Sequence, residues 1–99
     1  MAAATTERDG DTLWIRGDLD FDSVAALWDA TKSSFADDPP ARIDLQGVSR
    51  ANSAGVALLV AWLAQVRQRR QHQVVFVNVP AQMRAIIEVA DLDAVLPLE

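Results

Sequence analysis

The stretch Ile43-Asp44-Leu45-Gln46-Gly47-Val48-Ser49-Arg50-Ala51-Asn52-Ser53-Ala54-Gly55-Val56-Ala57-Leu58-Leu59 decides the fold of this chain. It opens as a short apolar strand, passes through a small polar turn, and places a hydroxyl residue where a long apolar helix begins. The first backbone N–H groups of a helix lack intrahelical partners, so this order aims them outward beyond the end of a buried strand. Such a tip can bind an anion, accept a phosphate or seat a partner protein. The reading predicts a strand over Arg42–Leu45, a loop over Gly47–Ala51 and a helix from Ser53 to Gln71.

Within that helix, Val56, Leu59, Val60, Trp62, Leu63 and Val66 occupy one broad arc at 100° per residue, which must be core. Ala57, Ala61 and Ala64 gather on the opposite side, with Leu58 near the seam. Upstream, two strand-like runs flank Asp9-Gly10, the dipeptide suited to a tight hairpin turn. Alternation then puts Leu13, Ile15, Leu19 and Phe21 on one face, with Trp14 and Arg16 on the other. A first helix is expected to start near Asp20 to Ser23, all capping types, with Val24, Leu27, Trp28, Thr31 and Phe35 as its stripe. Asp38-Pro39-Pro40 ends it.

Downstream, Val74 to Val77 reads as a strand buried on both faces. Pro80 suits the first turn of a third helix with Met83, Ile86, Ile87 and Ala90 as its stripe. The tail Ala94-Val95-Leu96-Pro97 adds a short strand or simply docks. Strand and helix alternate from residue 41 onward, which argues for parallel strands joined by right-handed crossovers behind an antiparallel hairpin. The expected fold is therefore α/β, a mixed β-sheet with an N-terminal hairpin and parallel strands, in one domain over residues 1–99.

Composition narrows the function. Without cysteine, disulfides, thiolate metal sites and thiol catalysis are excluded. A net charge of −5 opposes nonspecific nucleic-acid binding, which needs cations to displace counterions. The one basic cluster, Arg67, Arg69, Arg70 and His72, offsets the negative end of the second helix or forms a partner or headgroup patch. Ala54 to Ala64 is too short to span a bilayer, which takes roughly 20 residues, and Met1 to Glu7 lacks the pattern of a secretory signal. A cytoplasmic location is expected by default.

Ser53 lacks the surroundings of a catalytic serine, which needs a base in reach and a group to orient that base. The lone imidazole, His72, stands near the far end of the helix that Ser53 begins, on the order of 28 Å away at about 1.5 Å per residue. Asp18, Asp20, Asp22 and Asp29 mimic the spacing of a calcium loop, but Ser23 stands where glycine is required and the last ligand is Asp rather than Glu. No glycine-rich phosphate loop with Lys-Ser or Lys-Thr is present, so ATP hydrolysis is not expected. Neither an enzyme activity nor a metal or cofactor is expected. Ser53 remains either a helix cap and nothing more, or a contact residue; the alanine face remains either a helix-forming choice or a surface for close approach.

Gly17-Asp18-Leu19-Asp20, the strand Ile43-Asp44-Leu45, and Asn52-Ser53-Ala54-Gly55 before an apolar helix resemble a STAS domain, the SpoIIAA-like fold of anti-sigma-factor antagonists and of sulfate-transporter tails. Leu27-Trp28-Asp29, Gly55-Val56-Ala57-Leu58-Leu59 and Asp93-Ala94-Val95-Leu96-Pro97 are most similar to the MlaB-type subunit of the Mla phospholipid-transport ABC system. The resemblance implies helices packed on one side of the sheet and no catalysis. It implies a cytoplasmic accessory subunit, peripheral to the inner membrane, that binds and supports the ATPase subunit of a transporter maintaining outer-membrane lipid asymmetry. The family's key hydroxyl falls on Ser53, with Asn52, Ala54, Ala57 and Leu58 as the surrounding partner-binding residues. In anti-sigma-factor antagonists that hydroxyl is phosphorylated, which gives the alternative role. Many relatives carry Asp immediately before it; Asn52 caps a helix about as well but supplies no charge, so Ser53 as a contact fits more directly than Ser53 as a switch.

Overall fold

The hairpin at Asp9-Gly10 starts the sheet. In a computed structural model describing residues 3–69 and 72–99, β1 (Thr5–Asp9) pairs antiparallel with β2 (Thr12–Leu19). Gly10 supplies the left-handed backbone of the turn, with φ of 61°. The helix α1 (Phe21–Asp37) leads to β3 (Arg42–Ala51), α2 (Ser53–Arg67) to β4 (Val75–Val77), and α3 (Ala81–Val89) to the tail. Strand order is β1-β2-β3-β4, with β2, β3 and β4 mutually parallel. Both crossovers step the same way across the sheet, so right-handedness puts α1 and α2 on one face. After α3, Leu98 forms a parallel bridge with Phe76 on the free edge of β4, which makes the tail a one-bridge strand.

Three expectations about element bounds and strand faces are corrected. β3 runs unbroken to Ala51, where a loop over Gly47–Ala51 was expected. The cause is visible in the register: Trp14↔Asp44 is followed by Arg16↔Gly47, and Gly17↔Val48 by Asp18↔Arg50. Each step inserts an extra residue in β3, and such bulges destroy the period-two alternation that marks a strand. Phe21 does not join the inward face of β2; it is 72% exposed. The strand ends at Leu19, and as the first residue of α1 Phe21 turns by 100° per residue rather than 180°. Finally, α2 ends at Arg67 with Gln68 as its C-cap. Gln71, its expected last residue, and Arg70 of the basic cluster lie outside the described residues.

The core forms between the helices and one sheet face. Ile15, Leu19, Ile43, Leu45 and Phe76 from the strands meet Leu59, Trp62, Met83 and Ile87 from the helices, all fully buried. Val60 and Trp28, expected in the core, are only half-buried. On the other, helix-free face, Trp14 is half-buried beside its ladder partner Asp44. The buried Asp44 carboxylate accepts from the Gln46 N–H at 2.8 Å and from Asn78 Nδ2 at 3.1 Å. Asn78, at φ 56°, is of a type that tolerates the left-handed turn leaving β4.

The seam between α1 and α2 is closed at its far end by a polar clasp inside an aromatic stack. Phe35 and Trp62 lie parallel with centroids 5.1 Å apart. Trp62 Nε1 donates to Thr31 Oγ1 at 2.9 Å, and that hydroxyl donates to the Leu27 carbonyl at 2.7 Å. Thr31→Val keeps the shape but strips the indole N–H of its acceptor in a buried site. The expected loss is about 1–3 kcal/mol by urea denaturation, while Thr31→Ser, which retains the hydroxyl, should lose clearly less.

Candidate functional site

The junction of β3 and α2 is held by three contacts, two from β2 and one from α3. The Asn52 N–H donates to the Leu19 carbonyl at 3.1 Å, tying the turn to the end of β2. The Ala51 N–H donates to Gln82 Oε1 at 3.1 Å, tying it to α3. Gly55 lies so close to β2 that an added methyl would stand 3.0 Å from Leu19 Cβ. Glycine suits this close approach of the first turn of α2, since even a methyl would press on Leu19 by a few tenths of an ångström.

Asn52, not Ser53, caps the helix. Its side-chain oxygen accepts from the Ala54 N–H at 2.8 Å, the usual N-cap geometry. Ser53 is therefore the first helical residue, and among the described residues no hydrogen bond within the chain engages its hydroxyl. The bare capping role is thus filled by its neighbour, and Ser53 is left exposed with an uncommitted Oγ.

The turn forms a ridge between two unlike surfaces. On one side is a polar cleft of ≈ 490 Å³ lined by Asp18, Leu19, Asp20, Arg50, Ala51, Asn52 and Gln82. It lies at the carboxyl ends of parallel strands, where open α/β sheets place their sites. On the other side an apolar groove of ≈ 360 Å³ opens between α1 and α2. Phe21, Val24, Ala25 and Trp28 form one wall, and Ala54, Ala57, Leu58 and Ala61 the other.

Of the residues predicted around Ser53, Asn52 and Ala57 are exposed. Ala54 and Leu58 are buried, at 5% and 1% exposure, because they face α1 across the seam; they form groove lining rather than a projecting edge. Sequence reasoning missed Gln82, whose contact joins residues 31 apart and leaves no local signal. It also missed Phe21, though Asp20 and Ser23 three positions later spell the capping box that makes Phe21 helical.

The acids at the start of α1 have structural work. Asp20 accepts from the Ser23 N–H at 2.9 Å, while Ser23 Oγ accepts from the Asp20 N–H at 2.9 Å. The Ser23 backbone N–H, helped by its hydroxyl and the Asp22 backbone, holds the Asp20 carboxyl below the usual carboxylate value, against the opposing effect of burial. Among the described residues, no three His, Cys, Asp or Glu side chains converge as metal ligands. His72 does not approach Ser53; it lines a separate hollow with Leu63, Val66 and Pro97.

A family model described as "Mlab, STAS domain" matches residues 2–97. An anti-sigma factor antagonist from Mycobacterium paratuberculosis has a similar structure, with a TM-score of 0.79 at 26% identity over 99% of this chain and 85% of that one. The anti-sigma factor antagonist SpoIIAA in its unphosphorylated form aligns with a TM-score of 0.67 at 20% identity, over 87% of this chain and 82% of its own, a likeness of fold alone. No curated protein matches the sequence significantly.

Two caps can be checked directly. Asn52→Ala leaves the Ala54 N–H without its acceptor and should cost about 1 kcal/mol in denaturant unfolding. A depressed folded carboxyl adds stability above its unfolded value that is lost as pH falls through the folded one. Asp20→Asn still caps but does not titrate, so the stability gap to the parent should close as pH falls through and below the ordinary carboxylate range. A gap independent of pH there would show that Asp20 is not the titrating cap.

Proposed function

The chain belongs to the STAS domain family of the Mlab type, and on that footing we propose that it is a non-catalytic accessory subunit that binds and supports the ATPase of a phospholipid-transporting ABC complex maintaining outer-membrane lipid asymmetry. The observation that carries this reading is the uncommitted Ser53 hydroxyl on a rigid, exposed ridge. A hydroxyl without a hydrogen-bonded base is a poor nucleophile, whereas one on a turn braced by β2 and α3 makes a precise contact point. Asn52 and Ala57 stand exposed beside it, with Ala54 and Leu58 beneath. No helix among the described residues is long and apolar enough to cross a membrane, which fits a subunit bound to the membrane through its complex on the cytoplasmic side.

A second reading has a specific observation behind it. The structural relative at 26% identity is an anti-sigma factor antagonist. In this reading Ser53 is the phosphorylated switch. A phosphate brings up to about two negative charges to the positive end of α2, so the modified form stays folded while its surface changes. Asn52 speaks for the first reading, since it lacks the acidic charge many relatives carry at that position.

Co-expression with the ATPase subunit of a phospholipid-transporting ABC complex from the same cells should yield a stable complex, and Ser53→Arg should weaken it at least about tenfold with the circular dichroism of the free chain unchanged. Failure to form any complex removes the transporter reading. Intact-mass analysis of the protein from its native cells separates the alternative: a substantial phosphorylated fraction mapped to Ser53 supports the switch.

A further inference from the structure

The groove between α1 and α2 has two matched apolar walls. Its two walls repeat the same spacing: Phe21, Val24, Ala25 and Trp28 stand at i, i+3, i+4 and i+7, as do Ala54, Ala57, Leu58 and Ala61. Each wall thus spans two helical turns, roughly 10 Å at about 1.5 Å per residue. Three of the four residues on the α2 wall are alanines, which keep the trough wide where Phe35 and Trp62 close the same seam farther along. Phe21, exposed at the mouth, adds a large apolar side chain to the open apolar surface of the groove.

The charges around the trough select its occupant. On the α2 flank Ser53, Ala57 and Ala64 carry none. On the α1 flank stand Asp22 and Asp29, with Asp20 beside the mouth; the one cation on that helix, Lys32, is already paired with Asp29 at 3.2 Å. A second copy of this chain would bring the same predominantly acidic flank against this one, and anionic lipid headgroups would meet Asp20 and Asp22 with only the Asp29-paired Lys32 to offset them. Opposite charge is what such a rim attracts.

We propose that this groove receives one amphipathic helix of the partner, with an apolar stripe about two turns long and Lys or Arg on the side facing Asp22 and Asp29. The proposal rests on the partner reading above and names the element that partner supplies: an apolar helix face laid into a groove beside the Ser53 contact. Ala57 belongs to both surfaces, since it is exposed, lies one turn after Ser53 and lines the trough.

The cysteine-free sequence makes the test clean. Ala57→Cys, labelled with benzophenone maleimide and irradiated in the complex with that ATPase subunit, should give adducts on one helix, spaced by three or four residues and flanked by Lys or Arg. Adducts on a loop, on a strand or on a second copy of this chain overturn the proposal. Affinity gives an independent check on the same complex. Ala57→Trp fills the trough and should weaken binding roughly 30-fold or more, and Asp22→Lys with Asp29→Lys by about tenfold at low salt. Ala85→Trp, on the exposed face of α3, should leave it unchanged. Binding within twofold of the parent for Ala57→Trp, or tighter binding for the lysine pair, sinks the helix seat while the transporter reading stands. Absence of binding by the unmodified chain removes both.

Discussion

The first turn of α2 rests against the end of β2, and the rest of the site follows from that contact. Gly55 leaves only tight room for a methyl, which would stand 3.0 Å from Leu19 Cβ and 3.4 Å from Ala51 Cβ. Even that small group would require Leu19 to give by a few tenths of an ångström. The Asn52 N–H to Leu19 carbonyl bond and the Gln82 clasp on Ala51 then hold the turn on both sides of β3. Ser53 is consequently presented by packed strands and helices rather than by a loop. Rigid support of this kind suits recognition, in which ordering costs are settled at folding rather than at binding.

The same pair of helices serves two ends. Toward their C-termini, the Phe35–Trp62 stack and the Thr31 hydroxyl seal α1 against α2 with every buried polar atom of the clasp paired. Toward their N-termini, alanines replace the large residues and the seam opens into a groove. Packing at one end stabilises the domain, and its absence at the other leaves apolar surface next to the polar ridge. An apolar groove flanked by polar contacts is the usual anatomy of a protein interface.

Much of this was legible in the chain. The Asp9-Gly10 turn, the capping residues ahead of α1 and the apolar arc of α2 are local signals, and each produced its element. Alternation of strands and helices gave the parallel topology, because right-handed crossovers leave few alternatives. The polar run Gly47–Ala51 misled, since two bulges hide a strand behind a loop-like pattern. Phe21 misled for the opposite reason: alternation was carried one residue past the end of β2, into a helix.

The sequence by itself determined the elements, their order and the position of Ser53 at a helix start, because periodicity, capping and turn chemistry act over a few neighbouring residues. Only the tertiary structure decided that Asn52 takes the capping role, that Gln82 braces the turn from 31 residues away, and that Leu58 lies beneath the surface. Those outcomes depend on which elements meet across the fold. Such meetings are set by packing between distant segments, which no local pattern of side chains encodes.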